Sequence, residues 1–349
     1  MASEESGDAM NPAALAFLKA GLVTSVGLSA PASCAAMRAK LNNPGETRFK
    51  GTDGNWIMAQ QVQLDEPRRG LSKLAGMATM AIEEALEGIP KGEWQHIPLL
   101  LCIAEVQRPG RLDGLDDQLF LDIQAGLGAQ FAPQSAIVAT GRVGVAIALH
   151  QARTLISAGA VQRVLMVAAD SFVMWPTLNY YERENRLLTA ENSDGFMPGE
   201  GAGALLVGRS SGVADELVCA GIGFAREAAT LDSGQPLRGD GLTQAMNKAL
   251  AEARWDLTES CYRIADTSGE QYYFKEASLA LSRAIRYHKE NFELWHPAES
   301  MGEAGAASAM ACLVTAYTAA KKQYAPARQT IVHFGNDDGA RAVILTCTT

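Results

Sequence analysis

Six cysteines, five histidines, one glycine-dense segment and one acidic turn are the places where this sequence could carry chemistry. Cys34, Cys102, Cys219, Cys261, Cys312 and Cys347 are widely spaced, sit mostly among apolar neighbours and form no C-x-x-C pair, so they read as reduced core residues. No spacing of His, Cys, Asp and Glu suggests a metal, and no cofactor is expected. The string GEGAG, residues 199–203, lacks the Lys-Ser/Thr of a phosphate loop and leads into the apolar run ALLV rather than into a helix. Asn336-Asp337-Asp338-Gly339 could offer paired carboxylates for acid–base work, although a hairpin turn is the commoner use of such a string. Thr140 could act as a nucleophile but reads as a structural strand-end threonine. His150, among apolar helix neighbours, reads as a packed core histidine. His296 and His333 are candidates for lining a cleft, together with Thr140, Asp337 and Asp338.

These residues need elements to position them. A buried strand is expected over LAFLKAGLVTSV from Leu15, then a short helix in APASCAAMRAKL and an amphipathic helix from Arg68 to Ile89. Pro98–Val106 has strand length and opens into a polar loop from Gln107 to Asp117. Ser135–Thr140, a helix over Gly141–Ser157 closed by Gly159, and the strand Arg163–Asp170 make a strand–helix–strand unit. The second half repeats the pattern. Strand ADELVCAGIGF, helix GLTQAMNKALAEAR, strand YRIADTSG and the helix from Tyr272 to His288 precede a Gly/Ala-lined helix over Gly302–Lys322 and the strand Gln329–Phe334. Each half thus holds one small-residue helix leading into an apolar strand, as a layer packed between two sheets would require; the pattern alone fits an ordinary doubly wound α/β fold equally well.

At 349 residues, with 48% hydrophobic and 20% charged residues, the chain has ample material for a large core. A net charge of -9, with no long Lys/Arg run, disfavours nucleic acid and anionic lipid as partners. The start, MASEESGDAM, is acidic where a secretory signal would be basic, and no apolar stretch reaches the ~20 residues of a membrane span. A cytoplasmic protein without membrane insertion is expected, with Met10 the natural start and residues 1–13 a disordered or expression-derived tail.

Four strings in order carry a family resemblance. DGFMPGEGAGALLV (Asp194–Val207) resembles the D-G-F-x-x-G-E-G-A-G segment of β-ketoacyl synthases, and AGLVTSVGLSAPASCAAMRA resembles their first strand and helix. ESMGEAGAASAM (Glu299–Met310) is similar to a shortened K-S-x-x-G-H-x-x-G-A-A-G string, and HFGNDDGARAVIL (His333–Leu345) to the closing S-F-G-F-G-G-x-N-A hairpin. The resemblance implies an α/β protein with the duplicated thiolase-type α-β-α-β-α layered fold. Its N-terminal half is expected over 14–210 and its C-terminal half over 211–349. It also implies a dimer, with the strand Arg163–Asp170 or its neighbours near the two-fold.

The family's catalytic positions are then read one by one. Gly141 falls where the nucleophilic cysteine would sit, Ala265 on the first histidine with Asp266 beside it, Glu303 on the second histidine, and Asn336 on the gating phenylalanine. Condensation needs a thiol and two imidazoles, and none is in place. The resemblance therefore implies a catalytically degenerate, chain-length-factor-like or accessory homologue, a scaffold or partner of an active ketosynthase or another assembly. An acyl carrier protein is a possible further partner, and the pathway is of fatty-acid or polyketide type. The alternative is an acyltransferase or hydrolase acting on acyl-CoA or acyl-carrier protein with altered site residues. Arg142 enters the elbow one residue after the cysteine position, where the helix dipole disfavours a cation. It is expected to pair with Glu303 or Asp266.

Overall fold

The computed structural model of the chain describes residues 14–257, 261–285 and 292–349. The tail expected over 1–13, and the end of the helix expected to reach His288, lie outside the described residues. The first half runs β1 (Leu15–Val23), α1 (Ala30–Arg38), a hairpin of β2 (Gly45–Lys50) and β3 (Trp56–Ala59), α2 (Gly70–Ala85), β4 (Leu99–Cys102), α3 (Gln118–Leu127), β5 (Ala136–Val138), α4 (Gly144–Ser157), β6 (Arg163–Ser171), α5 (Trp175–Arg183) and β7 (Glu200–Arg209). The second half runs β8 (Leu217–Arg226), α6 (Asp240–Ala253), β9 (Cys261–Ala265), α7 (Gln271–Ala284), β10 (Leu294–Trp295), α8 (Ala298–Met301), α9 (Ala306–Lys321), β11 (Gln329–Gly335) and β12 (Ala340–Thr348).

Ten strands join in the order β10-β9-β11-β12-β8-β1-β7-β6-β4-β5. Read outward from the central β1–β8 contact, and counting only the strands of this sheet, each half has the same plan: its first strand, then its fifth, fourth, second and third. The sense of pairing repeats too. β4 is parallel to β5 and β6, as β9 is to β10 and β11, while β6–β7 and β11–β12 are antiparallel. The duplication that the letters only hint at is explicit in the topology.

Three large apolar cores lie between the helices and the strands. Neighbouring strand residues point to opposite faces, so Leu101, Val167 and Leu206 meet Met77, Ile82, Leu119 and Ile123 of α2 and α3, while Leu100, Met166 and Leu205 face the molecule's centre. There they share one core with Val145 and Leu149 of α4, Met310 and Leu313 of α9, and Ile264, Val332 and Ile344 on strands β9, β11 and β12 of the second half. The far faces of those strands, Ile331, Val343 and Leu345, pack on Leu242 and Met246 of α6 and Leu281 of α7. Strands buried on both faces need no polar alternation, which is why they read as unbroken apolar runs. The expected layered α/β architecture is present.

Small residues let the central layer close. Seven of the sixteen residues of α9 are alanine and the helix is buried nearly all round, and a Cβ on Gly203 of β7 would lie 2.7 Å from Met310 Cγ. Several expectations need correction. The helix expected from Gly302 starts at Ala306, because Gly302 and Gly305 take φ of 73° and 55° and break the first turn. β4 is shorter than Pro98–Val106. The hairpin β2–β3 and helices α3 and α5 were not anticipated. β6 is interior, bonded to β7 along its length and to β4 over Leu165–Ala168, and β5 is the outer strand of that half.

Candidate functional site

Where β5 gives way to α4, a single 3-10 turn, Gly141–Val143, forms an elbow. Gly141 is buried with φ 60°, a left-handed conformation that favours glycine. A Cβ there would collide with Glu105 Oε2. The next side chain, Arg142, turns inward and is only 8% exposed. Three carboxylates from the second half of the chain reach it. Its Nη1 donates to Glu303 Oε2 at 3.0 Å and its Nη2 to Asp337 Oδ1 at 3.1 Å, while Asp266 Oδ2 lies 3.6 Å from its Nε. Glu303 precedes α9, Asp337 lies in the β11–β12 turn and Asp266 follows β9. The ion pair expected of Arg142 is thus formed with Glu303, more loosely with Asp266, and with Asp337 as a partner that the turn reading had set aside.

A second tier holds these groups in place. Arg186 Nη1 donates to Asp337 Oδ2 at 2.7 Å, and its Nε and Nη2 grip Glu270 at 2.7 and 2.8 Å. The Tyr273 hydroxyl donates to Asp337, its ring lies under the Arg142 guanidinium at 5.0 Å, and Ser268 Oγ donates to Glu303 Oε2 at 2.8 Å. Burial would raise the Asp337 carboxyl, but Arg142 and Arg186 outweigh it and hold this group well below the usual carboxylate range. Asp266 behaves oppositely. Burial dominates, Arg142 and the Gly335 N–H offset only part of it, and its carboxyl is pushed up to about 6.

Several backbone donors around the elbow are occupied by the chain's own side chains. Val143 N–H donates to Asn336 Oδ1 at 3.2 Å, and Asn336 Nδ2 returns to the Thr140 carbonyl at 2.7 Å. Gly335 N–H donates to Asp266, Gly305 N–H to Glu303 and Ala306 N–H to Asp170, at 3.0, 2.8 and 3.0 Å. Arg108 completes the packing under the elbow, with Nη1 at 2.8 Å from Asp170 Oδ1 and Nη2 at 2.6 Å from Glu105 Oε2. A helix N-terminus is a natural anion site, and both central helices spend theirs on the chain's own side chains.

The other candidates scatter. Ala265 is buried at the end of β9 beside Asp266. Thr140 is exposed, and its carbonyl serves Asn336. His333 is buried within β11, and burial, with Arg263 and Arg341 nearby, lowers its imidazole to about 3, so it is neutral. His296 Nε2 lies 3.3 Å from Glu299. Asp338 is exposed near Arg226. His150 is exposed, not core: it stands on the outer side of α4 with its ring edge against Phe224. Five of the cysteines are buried and Cys347 partly so. Sequence reasoning missed Glu105, Arg108, Asp170, Arg186, Glu270 and Tyr273. The one available signal was an acid closing an apolar strand, as Asp170 does in RVLMVAAD.

Away from the elbow, the β2–β3 hairpin and the start of α2 border a cavity of about 350 Å³. Arg48, Arg68, Arg69 and Lys73 line it, with Phe49, Leu74, Val173 and Met174 as apolar wall. Lys73 is paired with the buried Glu200, whereas Arg48 and Arg69 are exposed.

Comparison with known proteins follows this geometry. The family model for 3-oxoacyl-[acyl-carrier-protein] synthase III matches residues 138–223, the stretch from the end of β5 through the elbow into β8. A β-ketoacyl-[acyl-carrier-protein] synthase III from Porphyra umbilicalis is 31% identical over 166 residues, covering 46% of this chain and 44% of that protein. The match thus spans less than half the length of this curated relative. Among solved structures, a type II polyketide synthase acyl-carrier protein in complex with its ketosynthase superposes with a TM-score of 0.80 at 15% identity, covering 97% of this chain and all of that one. The ishigamide ketosynthase/chain length factor gives 0.77 at 16% identity, covering 96% of this chain and 99% of that one. A ketosynthase in complex with its chain length factor from Xenorhabdus doucetiae gives 0.74 at 13%, covering both chains fully. At these identities the superpositions establish the fold.

Proposed function

We propose that this chain, a thiolase-fold protein of the β-ketoacyl synthase type, is a non-catalytic subunit that serves as scaffold or partner of an active ketosynthase or another assembly. In this reading Gly141, Ala265, Glu303 and Asn336 occupy degenerate catalytic positions, and the junction at 210/211 separates two thiolase halves. One observation carries it: the elbow, where a covalent acyl group would have to form, holds no nucleophile and is filled by Glu105 and the Arg142–Glu303–Asp337 cluster. The pocket is plugged by charge. Incubation with acyl-CoA and with acyl-carrier protein tests it: intact mass should show no covalent adduct and turnover should be absent.

Acyl transfer or hydrolysis would instead need a hydroxyl nucleophile. Ser268 does donate to a carboxylate, but that carboxylate, Glu303, is already committed to Arg142. An adduct mapping to Ser268 would favour this alternative.

For partners, we propose a homodimer or a heterodimer with a ketosynthase-like subunit, joined at or near the free β5 edge, and an acidic carrier protein at the cavity bearing Arg48, Arg68 and Arg69. Native mass of the protein alone and with a co-expressed ketosynthase separates the two dimers. Reversing Arg68 and Arg69 to Glu should weaken carrier binding and flatten its salt dependence. No described helix is long and apolar enough to cross a membrane, and we place the protein in the cytoplasm.

A further inference from the structure

Arg142 has more carboxylate partners than one guanidinium can satisfy. Glu303 and Asp337 take its Nη hydrogens, whereas Asp266 stands off at 3.6 Å and is held by the Gly335 N–H. The groups facing Asp266 come from every element around it: Arg142 at the entry to α4, Glu303 before α9, Cys312 within α9, and Arg341 on β12, which Glu276 of α7 grips at 2.8 Å. Asp337 and Tyr273 share Arg142, and Asp337 and Glu270 share Arg186. Two guanidiniums, Arg142 and Arg186, thus serve four carboxylates. The surplus negative charge is relieved by a proton, and the loosest-held carboxyl is the place for it.

We propose that Asp266 is a proton-operated latch on the elbow: protonated, it leaves Arg142 to Glu303 and Asp337 and the plug is locked; ionised, it competes for the guanidinium and loosens the plug. This rests on reading Arg142 as a plug. The carboxyl's position supports it, since burial pushes Asp266 up to about 6 against ~3.9 for an exposed aspartate. A raised folded value means that the stabilisation is complete below about pH 4 and is lost as pH rises through about 6.

The test uses the full chain, Asp266→Asn and Arg142→Ala, with denaturant unfolding and site-resolved hydrogen exchange from pH 4.5 to 7.5. Relative to Asp266→Asn, the unsubstituted protein should lose roughly 25-fold in folding constant across that range. After correction for intrinsic exchange, its Val143 amide should lose protection near pH 6 while that of Asp266→Asn does not. Parallel pH profiles in the two proteins overturn the latch, as does a stability difference that leaves this amide unmoved. If Asp266→Asn folds poorly, the unsubstituted protein decides alone, since flat protection of the Val143 amide through pH 6 refutes the proposal. Arg142→Ala separates the two ideas. Unchanged stability in that variant defeats the plug itself, whereas clear destabilisation together with parallel pH profiles defeats only the latch.

Discussion

Deleting the guanidinium at the elbow should be costly in a way its partners' deletion is not. Arg142→Ala leaves Glu303 buried without a cation, supported only by Ser268 and the Gly305 N–H, and leaves Asp266 without its nearest counter-charge. Breaking a buried pair from one side costs ~3–5 kcal/mol. With an unfolding entropy near 2.1 cal/mol/K per residue over this length, that is a fall of about 4–7 °C in Tm. Glu303→Ala differs. Arg142 keeps Asp337 at 3.1 Å and Asp266 within reach, so that substitution should cost nearer ~1–3 kcal/mol. The double variant should be milder than the sum by ~1–3 kcal/mol, because removing both leaves neither charge stranded. Calorimetry or urea denaturation of the four proteins at pH 7 reads the cycle. Additivity to within ~0.5 kcal/mol, with each single variant below ~1 kcal/mol, would refute the reasoning.

Gly141→Cys should not restore condensation: the new side chain meets Glu105, the φ of 60° strains it, and no imidazole of the described residues faces it. Measurable turnover with an acyl primer and a malonyl extender would overturn that. Asp337→Asn should destabilise at pH 7 and approach the unsubstituted protein as pH falls below about 4. A depressed carboxyl stabilises above its unfolded value and loses that contribution as it protonates; a difference constant from pH 3 to 7 would contradict it. Ala309→Leu in α9 should cost ~1–3 kcal/mol by overpacking a site fully buried in the central layer, seen as a lower denaturation midpoint; an unchanged midpoint would show slack between the sheets.

The strands and long helices were legible because burial on both faces leaves unbroken apolar runs, and the glycines of GEGAG proved to mark real backbone approaches: a Cβ on Gly199 would strike the Met301 carbonyl. The convergence of Arg142, Glu303 and Asp266 could be read because family order placed all three near one elbow. What escaped was decided by tertiary context. α5 opens on Trp175-Pro176 and carries only a short apolar stripe, Leu178 and Tyr181, for the Phe172 and Phe196 cluster, and α3 follows a polar loop that hides its start. Asp337 looked like a turn residue and is one, in that Gly339 N–H closes back on the Asn336 carbonyl. Nothing in NDDG could say that two arginines, 195 and 151 residues away in sequence, meet its carboxylate. His150 misled for a related reason: its neighbours face the core, and its own angle on α4 does not.

The strand order bears on how the chain is made. β1 is translated before every other described strand and is one of the two central strands of the sheet, yet its partners begin only with β7 at Glu200 and β8 at Leu217. At ~5–20 residues per second of translation, LAFLKAGLV waits roughly 10–40 s with both hydrogen-bonding edges open. A strand that must wait so long is an invitation to mispair. Nascent-chain synthesis should therefore depend on a holding chaperone until β7 emerges, and truncation before Glu200 should convert a soluble product into an aggregating one.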